Sequence, residues 1–313
     1  MLANLPLVLG HEVAGVVSDI GPDVAGFELG DRIAAFGYPQ HSPGYSVDGG
    51  FADKYLAGAE GLMKLPDAVD FVQAATATDA GQTAHGAVMG AGKVRADERV
   101  GIVGLGGLGL TGAQELGVRE IFEDASELAG LDLAVIVDFA GFGTTTANAI
   151  AAVRPAGRVI QVGLGSTEAT IPISQLVLKA VTLRGARGGR PRDFETVIDL
   201  IAKGDLSIHA TTTTFEEIPQ AIERLKNGDV LGRIVAVLDR DGLAFRKSSA
   251  RLEPVAQDAS LACAGLTPAH QLRRNADPAR KQIDLRRVRK AGLLDQHHLR
   301  IPRLGVGASL NPR

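Results

Sequence analysis

A glycine-rich stretch, Gly104-Leu105-Gly106-Gly107-Leu108-Gly109, is the part of the sequence whose spacing points most directly to chemistry. It follows an apolar run and fits the pattern G-x-G-x-x-G of dinucleotide-binding turns. In such a turn Gly104 allows the tight bend, Gly106 lets a pyrophosphate approach the backbone, and Gly109 lets the next helix pack on the strand. The spacing predicts a phosphate-binding loop, with a purely structural turn as the alternative.

Two further segments contain residues that could bind a metal ion. His11 and Glu12 follow a glycine in the stretch GHE, and Asp79 lies in the stretch TATDAGQTAHGAV. Imidazole nitrogen and carboxylate oxygen are both zinc donors. The alternatives are that His11 is a structural histidine and that Asp79 caps the N-terminus of a helix over residues 80–89.

The elements that must position these residues predict an α/β protein. Residues 7–60 are short alternating segments separated by glycines, which indicates a small β-rich domain. Residues 70–92 are rich in alanine and predict a helix. Beyond residue 100, apolar runs at 131–141, 157–165 and 181–187 alternate with helix-like stretches. Strands that are apolar throughout are buried on both faces, so this alternation predicts a parallel sheet.

Composition places the chain among globular proteins. Its 313 residues are 45% hydrophobic and 22% charged, and this length allows two domains. No apolar run is long enough to span a bilayer, and the first six residues lack the basic start of a secretion signal, so we expect a cytoplasmic protein. The one cysteine, Cys263, excludes an internal disulfide framework.

The charge is divided unevenly along the chain. The formal net charge is −3, yet residues 239–313 carry 15 Lys and Arg residues against 7 Asp and Glu residues. This composition predicts a basic tail that is disordered or was added beyond an ancestral stop. Nucleic-acid binding by the tail is the alternative, but it is disfavoured because no recognition motif or interleaved aromatic residues accompany the charge.

The order of these motifs resembles the zinc-containing alcohol dehydrogenases of the medium-chain dehydrogenase/reductase family. The motifs are GHE, GDR, GGFADKY, DAGQTA, GLGGLG, DFAG, GRVIQVG and GRIVAVL, and they extend over about residues 5–238. The resemblance implies a GroES-like catalytic domain and a Rossmann domain, which is a doubly wound parallel sheet, with the active site between them. The implied boundaries are 1–82 (catalytic domain), 83–214 (Rossmann domain), 215–238 (return to the catalytic domain) and 239–313 (tail).

The same resemblance implies roles for individual residues. His11 and Asp79 match zinc ligands, and Glu12 matches the acidic residue beside the zinc. The residues that match cofactor-contacting positions are Thr83, Gly104, Gly106, Gly109, Val162, Gly163, Leu164 and Arg233. The implied cofactors are a catalytic Zn²⁺ and NAD or NADP, with NAD favoured.

Two parts of the family pattern have no counterpart in the sequence. The first zinc-binding cysteine and the Ser/Thr of the proton relay would precede Met1, so we expect a partial catalytic domain and an incomplete zinc site. After Gln114, the stretch ELGVREIF is similar to the end of a later helix of the family. One strand–helix unit of the Rossmann sheet is therefore expected to be missing, together with the acidic residue that binds the adenosine ribose.

The implied function is zinc-dependent alcohol dehydrogenase activity, with hydride transfer between an alcohol/carbonyl pair and a nicotinamide cofactor. The implied partners are a small-molecule substrate and further copies of the chain in a homo-oligomer. Three alternatives stay open: a catalytically inactive remnant of the family, a nucleic-acid-associated protein acting through the tail, and a zinc-free quinone reductase. His11 and Asp79 argue against the quinone reductase, because they match metal positions.

Overall fold

The computed structural model describes residues 6–38, 41–117, 125–238 and 266–268. The strands of this part are β1 (Val13–Val16), β2 (Arg32–Ala35), β3 (Leu62–Lys64), β4 (Arg99–Val103), β5 (Val135–Asp138), β6 (Arg158–Gln161), β7 (Thr182–Gly185), β8 (Ala210–Thr214), β9 (Arg233–Val237) and β10 (Leu266–Pro268). Its α-helices are α1 (Phe71–Thr76), α2 (Gln82–His85), α3 (Gly107–Leu116), α4 (Thr144–Ala152), α5 (Ile173–Leu178), α6 (Pro191–Ala202) and α7 (Ile218–Lys226).

The N-terminal part forms a three-stranded antiparallel sheet in the order β1-β2-β3. Val13 pairs with Ala35, and Ile33 pairs with Lys64. Ala34 of β2 packs in a core with Phe194 and Val197 of α6. This sheet confirms the β-structure predicted for the N-terminal region, and its third strand lies just beyond residue 60.

The second sheet has the order β10-β4-β5-β6-β7, in which β4 to β7 are parallel. Its central strand β5 is fully buried, and helices cover both faces. Leu110 and Ala113 of α3 pack on one face, and Ile150 of α4 packs on the other. The predicted doubly wound parallel sheet is confirmed.

β4 pairs directly with β5, with Val100 opposite Val135. Leu116 at the end of α3 lies in the core of one face, whereas Leu128, in a 3₁₀ turn before β5, lies in the core of the other face. Leu116 and Leu128 thus belong to the cores on opposite faces of the sheet. Among the described residues no further strand follows α3 before β5. This agrees with the expectation that one strand–helix unit of the sheet is missing. Glu115 and Leu116 continue α3, and Glu120 and Glu123 lie outside the described residues.

Residues 71–91 form one helical segment that includes two π-helical turns, Ala77–Gly81 and Gly86–Ala91. The carboxylate of Asp70 caps the segment by accepting a hydrogen bond from the Gln73 amide at 2.8 Å. Asp79 lies within the first π-helical turn, which begins six residues after the start of the helix at Phe71. The alternative that Asp79 is an N-cap is therefore wrong, because Asp70 has that role.

β8 and β9 form a parallel pair joined by α7, and β9 contacts α1. In the tail, only the backbone of Leu266–Pro268 is described, and it pairs antiparallel with β4. The rest of residues 239–313, Cys263 included, lies outside the described residues. The predicted disorder of the tail concerns these residues and stays a prediction. None of the described helices has the length and apolar character needed to cross a bilayer.

Candidate active site

The His11 and Asp79 side chains are brought together by the N-terminal sheet and the first π-helical turn. His11 lies just before β1, in a segment whose backbone accepts hydrogen bonds from residues 49–51. Gly10 has a left-handed φ of 97°, and a side chain there would collide with Phe51. The Nε2 atom of His11 lies 3.2 Å from Oδ2 of Asp79.

Thr83 completes this group one turn along the helical segment. Its hydroxyl donates a hydrogen bond to Oδ1 of Asp79 at 3.1 Å, so the two carboxylate oxygens of Asp79 have different partners. The hydrogen bond that His11 donates to Asp79 raises the pKa of His11, although burial opposes this. Burial raises the pKa of Asp79, but His11, Arg233 and Thr83 together outweigh burial, and the pKa lies below its ordinary value.

Glu12 and Arg233 form a second charged pair beside the first. Nε of Arg233, the first residue of β9, donates to Oε2 of Glu12 at 3.1 Å, and its Nη2 donates to the same oxygen. The Ala80 amide donates to Oε1 of Glu12 at 3.1 Å. Burial raises the pKa of Glu12, and Arg233 opposes this. The pair is mostly buried, with exposed side-chain fractions of 16% for Glu12 and 24% for Arg233.

The glycine-rich loop has the geometry that its spacing predicts. Gly104 has a left-handed φ of 84°, and a Cβ there would lie 2.8 Å from the Ala140 nitrogen. A Cβ on Gly109 would overlap the Gly104 carbonyl oxygen, whereas a Cβ on Gly106 would meet no atom within 4 Å. Gly106 also precedes α3 without a side-chain cap, so amides of the first turn of α3 lack intrahelical partners. Such amides are suited to bind phosphate oxygens.

Arg233 connects the charged cluster to this loop. A Cβ on Gly107 would overlap the Arg233 side chain, so the arginine lies against the first residue of α3. The loop at residues 162–164 follows β6 at the same end of the sheet. The Val162 and Gly163 amides donate to the Asp138 carbonyl oxygen, and Leu164 is exposed. The structure therefore connects the charged cluster to the glycine-rich loop, and it places residues 162–164 at the same end of the sheet as that loop.

The described donors fit a catalytic zinc only in part. Two ligands of a tetrahedral zinc at bond lengths near 2.1 Å are about 3.4 Å apart, close to the separation of the His11 and Asp79 donor atoms. A catalytic zinc takes three protein ligands, and no group of three suitable donors occurs among the described residues. These residues alone therefore do not complete a zinc site.

Three contacts of the site were not predicted from the sequence. The Tyr45 ring lies 5.2 Å from the His11 ring, Gly107 makes room for Arg233, and Arg233 pairs with Glu12. The charges of Glu12 and Arg233 were visible in the sequence, but nothing in it indicated that residues 221 positions apart would pair.

Comparison with known proteins agrees with the fold. The family model of the alcohol dehydrogenase GroES-like domain matches residues 1–67, and that of the zinc-binding dehydrogenases matches residues 85–203. An alcohol dehydrogenase from Geobacillus stearothermophilus is 31% identical over 288 residues, covering 76% of this chain and 84% of the relative.

Solved structures share the fold. The alcohol dehydrogenase from Aeropyrum pernix has a TM-score of 0.67 at 24% identity, covering 75% of this chain and 84% of that chain. Acetophenone reductase from Geotrichum candidum, solved with NAD, has a TM-score of 0.66 at 23% identity, covering 73% and 80%. The chain thus belongs to the zinc-containing alcohol dehydrogenases of the medium-chain dehydrogenase/reductase family, which are oxidoreductases.

Proposed function

We propose that the chain binds NAD or NADP, with NAD favoured, and transfers hydride between this cofactor and a small alcohol/carbonyl pair. The observation that carries the proposal is the continuous series of contacts from His11 and Asp79, through Glu12 and Arg233, to Gly107 of the glycine-rich loop. A dinucleotide whose pyrophosphate lies at the amides of α3 would have Arg233 beside it. Its other half would reach toward His11 and Thr83.

The roles of the chain's own residues follow from these contacts. Gly104, Gly106 and Gly109 give the pyrophosphate access to the amides of α3, and Arg233 supplies a positive charge there while Glu12 fixes its direction. Val162, Gly163 and Leu164 border the nicotinamide, and Thr83 orients Asp79. We propose His11 and Asp79 as the zinc donors, and a further donor has to come from outside the described residues.

The incomplete donor set favours one second candidate, a member of the family that no longer catalyses the reaction. In that case the fold and the glycine-rich loop persist without turnover. The two candidates differ in metal content and in activity, because a remnant with two donors would bind zinc weakly.

The remaining expectations concern the surroundings of the chain. We propose a homo-oligomer, supported by an apolar surface at the edge of the parallel sheet. It consists of Ile173, Val177, Leu178 and Leu183, which are exposed, and we call it the β7 surface. β7 has no strand partner on its outer edge in the described part of the chain. The cytoplasmic location and the domain boundaries remain predictions from the sequence, and the boundary at residue 82 falls inside the helical segment 71–91.

The decisive experiment is a fluorescence titration of the purified chain with NADH and, separately, NADPH, with and without added Zn²⁺. We expect saturable binding at micromolar concentrations, tighter for NADH. Zinc content by mass spectrometry and a screen of alcohols and ketones then separate the active enzyme from the inactive relative. A folded chain that binds neither nucleotide would contradict the proposed function.

A further inference from the structure

Asp138, at the end of β5, is a fully buried carboxylate outside the predicted site. Its Oδ1 accepts hydrogen bonds from the amides of Ala140 at 2.9 Å and Gly141 at 2.8 Å. Its Oδ2 lies 2.8 Å from the Thr145 hydroxyl and 3.1 Å from the Thr146 hydroxyl. These four partners are neutral, and both threonines lie in the first turn of α4, where the helix dipole favours a negative charge.

These hydrogen bonds fix the loop of residues 139–143. Gly141 and Gly143 have left-handed φ values of 68° and 79°, which glycine adopts readily. Because glycine is also free to adopt other conformations, the hydrogen bonds to Asp138 select this one. Thr145 adds such support, because its hydroxyl accepts a hydrogen bond from the Phe142 amide at 3.1 Å. Burying a carboxylate is costly unless it is fully hydrogen-bonded, and such a fully bonded group fixes the positions of its donors. We therefore expect the geometry of this loop to have a role.

The same group reaches the next loop of the sheet. The Thr146 hydroxyl shares its single hydrogen between Oδ2 of Asp138 and Oε1 of Gln161, which is 2.8 Å away. Nε2 of Gln161 donates to the Gly163 carbonyl at 2.9 Å. Backbone bonds add to this link, since Gly165 donates to the Ala140 carbonyl and Ser166 donates to the Gly141 carbonyl.

Loop 139–143 also touches the glycine-rich loop. A Cβ on Gly104 would meet Ala140, and one on Gly163 would overlap Ala140 from the other side. Ala140 therefore lies between the two loops that border the proposed cofactor crevice. Its position is set by the hydrogen bond from its amide to Asp138.

We propose that Asp138 is a positioning residue for the cofactor. Through Thr146 and Gln161 it couples loop 139–143 to loop 162–165, and it sets the distance of both from the glycine-rich loop. This inference rests on the proposed function, because it assigns a cofactor to the crevice. It assigns a role that none of the predicted site residues has. Asp138 is a buried anion that holds the nicotinamide side of the crevice in place.

The test removes one hydroxyl from the network. Thr146→Val is nearly isosteric and breaks the link between Asp138 and Gln161, whereas Thr146→Ser keeps the hydroxyl. Thr144→Val makes the same change at an exposed position of the same helix turn. We expect Thr146→Val to weaken NADH binding at least tenfold and ADP-ribose binding less than threefold, because the phosphate loop is unchanged. Thr146→Ser and Thr144→Val should bind NADH as the wild type does.

Amide hydrogen exchange provides a readout that needs no cofactor. We expect peptides covering residues 139–143 and 162–165 to exchange faster in Thr146→Val than in Thr144→Val, with unchanged far-UV circular dichroism. Equal NADH affinity and equal exchange in these two variants would overturn the proposal, as would an equal loss of NADH and ADP-ribose affinity. A wild-type chain that binds no NADH would overturn the proposed function and the cofactor role of Asp138. The exchange rates would then decide the loop coupling alone.

Discussion

Gly106 is the residue at which cofactor binding can be separated from folding. Its backbone φ of −77° suits any residue, and a Cβ there meets no atom within 4 Å. We expect Gly106→Ala to leave the free energy of unfolding nearly unchanged and to weaken NADH binding at least tenfold, because the added methyl group occupies the space of the pyrophosphate. Fluorescence titration and urea denaturation measure the two effects.

Gly15→Ala is the matched control for this change. Gly15 lies in β1, and a Cβ there also meets no atom within 4 Å, so this variant should retain both stability and NADH affinity. If Gly106→Ala binds NADH as tightly as Gly15→Ala does, the glycine-rich loop does not hold the pyrophosphate.

The Glu12–Arg233 pair allows a second prediction about single residues. Removing one member of a buried ion pair leaves the other charge without its partner, which costs about 3–5 kcal/mol. Arg233→Gln and Glu12→Gln should therefore each lower the free energy of unfolding by about this amount. The double variant should be more stable than the sum of the single losses predicts. Urea denaturation of the four proteins gives the coupling, and strictly additive losses would show that the pair contributes no coupling.

Residue types revealed the candidates for this site, but not their contacts. Gly104, Gly106 and Gly109 could be read from spacing, since each has a backbone role that follows from its position in the turn. The pairing of Glu12 with Arg233 could not be read, because it depends on how β9 returns to the first domain. Asp79 was open to two interpretations, and only the helix start at Asp70 decided between them.

At the scale of elements, the contact between α2 and α3 depends on a buried ion pair. Nδ1 of His85 lies 2.6 Å from Oε1 of Glu115, and both side chains are about one-tenth exposed. Burial lowers the pKa of His85, but the hydrogen bond and charge of Glu115 outweigh it, and the pKa lies above its ordinary value of 6.5. Asp193 of α6 raises this pKa further, and Arg190 before α6 lowers it.

The sign of the pH dependence follows from this direction. A histidine whose pKa is raised on folding adds stability below its unfolded pKa, and this contribution is lost as the pH rises through the folded pKa. From pH 6.5 upward, the free energy of unfolding of the wild type should therefore fall relative to that of Glu115→Gln. Urea denaturation across this range measures the difference. Glu195→Gln, an exposed change on α6, should keep the wild-type slope, and parallel curves for wild type and Glu115→Gln would contradict the prediction.

Periodicity predicted most of the elements but not their irregularities. The apolar runs that contain β5 and β6 predict these strands because buried parallel strands are apolar throughout. β7 differs, because all four of its residues are exposed at the edge of the sheet. The two π-helical turns in residues 71–91 were not visible, since a π-helical turn arises where tertiary contacts favour one extra residue in a helix and leaves no compositional signal. The first of these turns contains Asp79, so the irregularity is part of the site.

At the scale of the whole molecule, the β7 surface predicts self-association. An unpaired edge strand beside exposed apolar side chains is a template for pairing with another chain. We expect Leu178→Glu to shift the wild-type oligomer to smaller species in analytical ultracentrifugation, because the new carboxylate would be buried at the interface. Leu56→Glu, at a leucine that is 91% exposed compared with 85% for Leu178, should leave the assembly unchanged. A wild-type monomer would contradict the prediction directly.

The direct pairing of β4 with β5 also has a consequence for how the chain folds. Val100 of β4 pairs with Val135 of β5, so the contact between these two strands is closer in sequence than it would be with another strand–helix unit between them. Closing a shorter loop costs less chain entropy, and rates of folding rise as contacts become more local. We therefore expect the β4–α3–β5 unit to be structured in the transition state for folding, before β8 and β9 pack against α1.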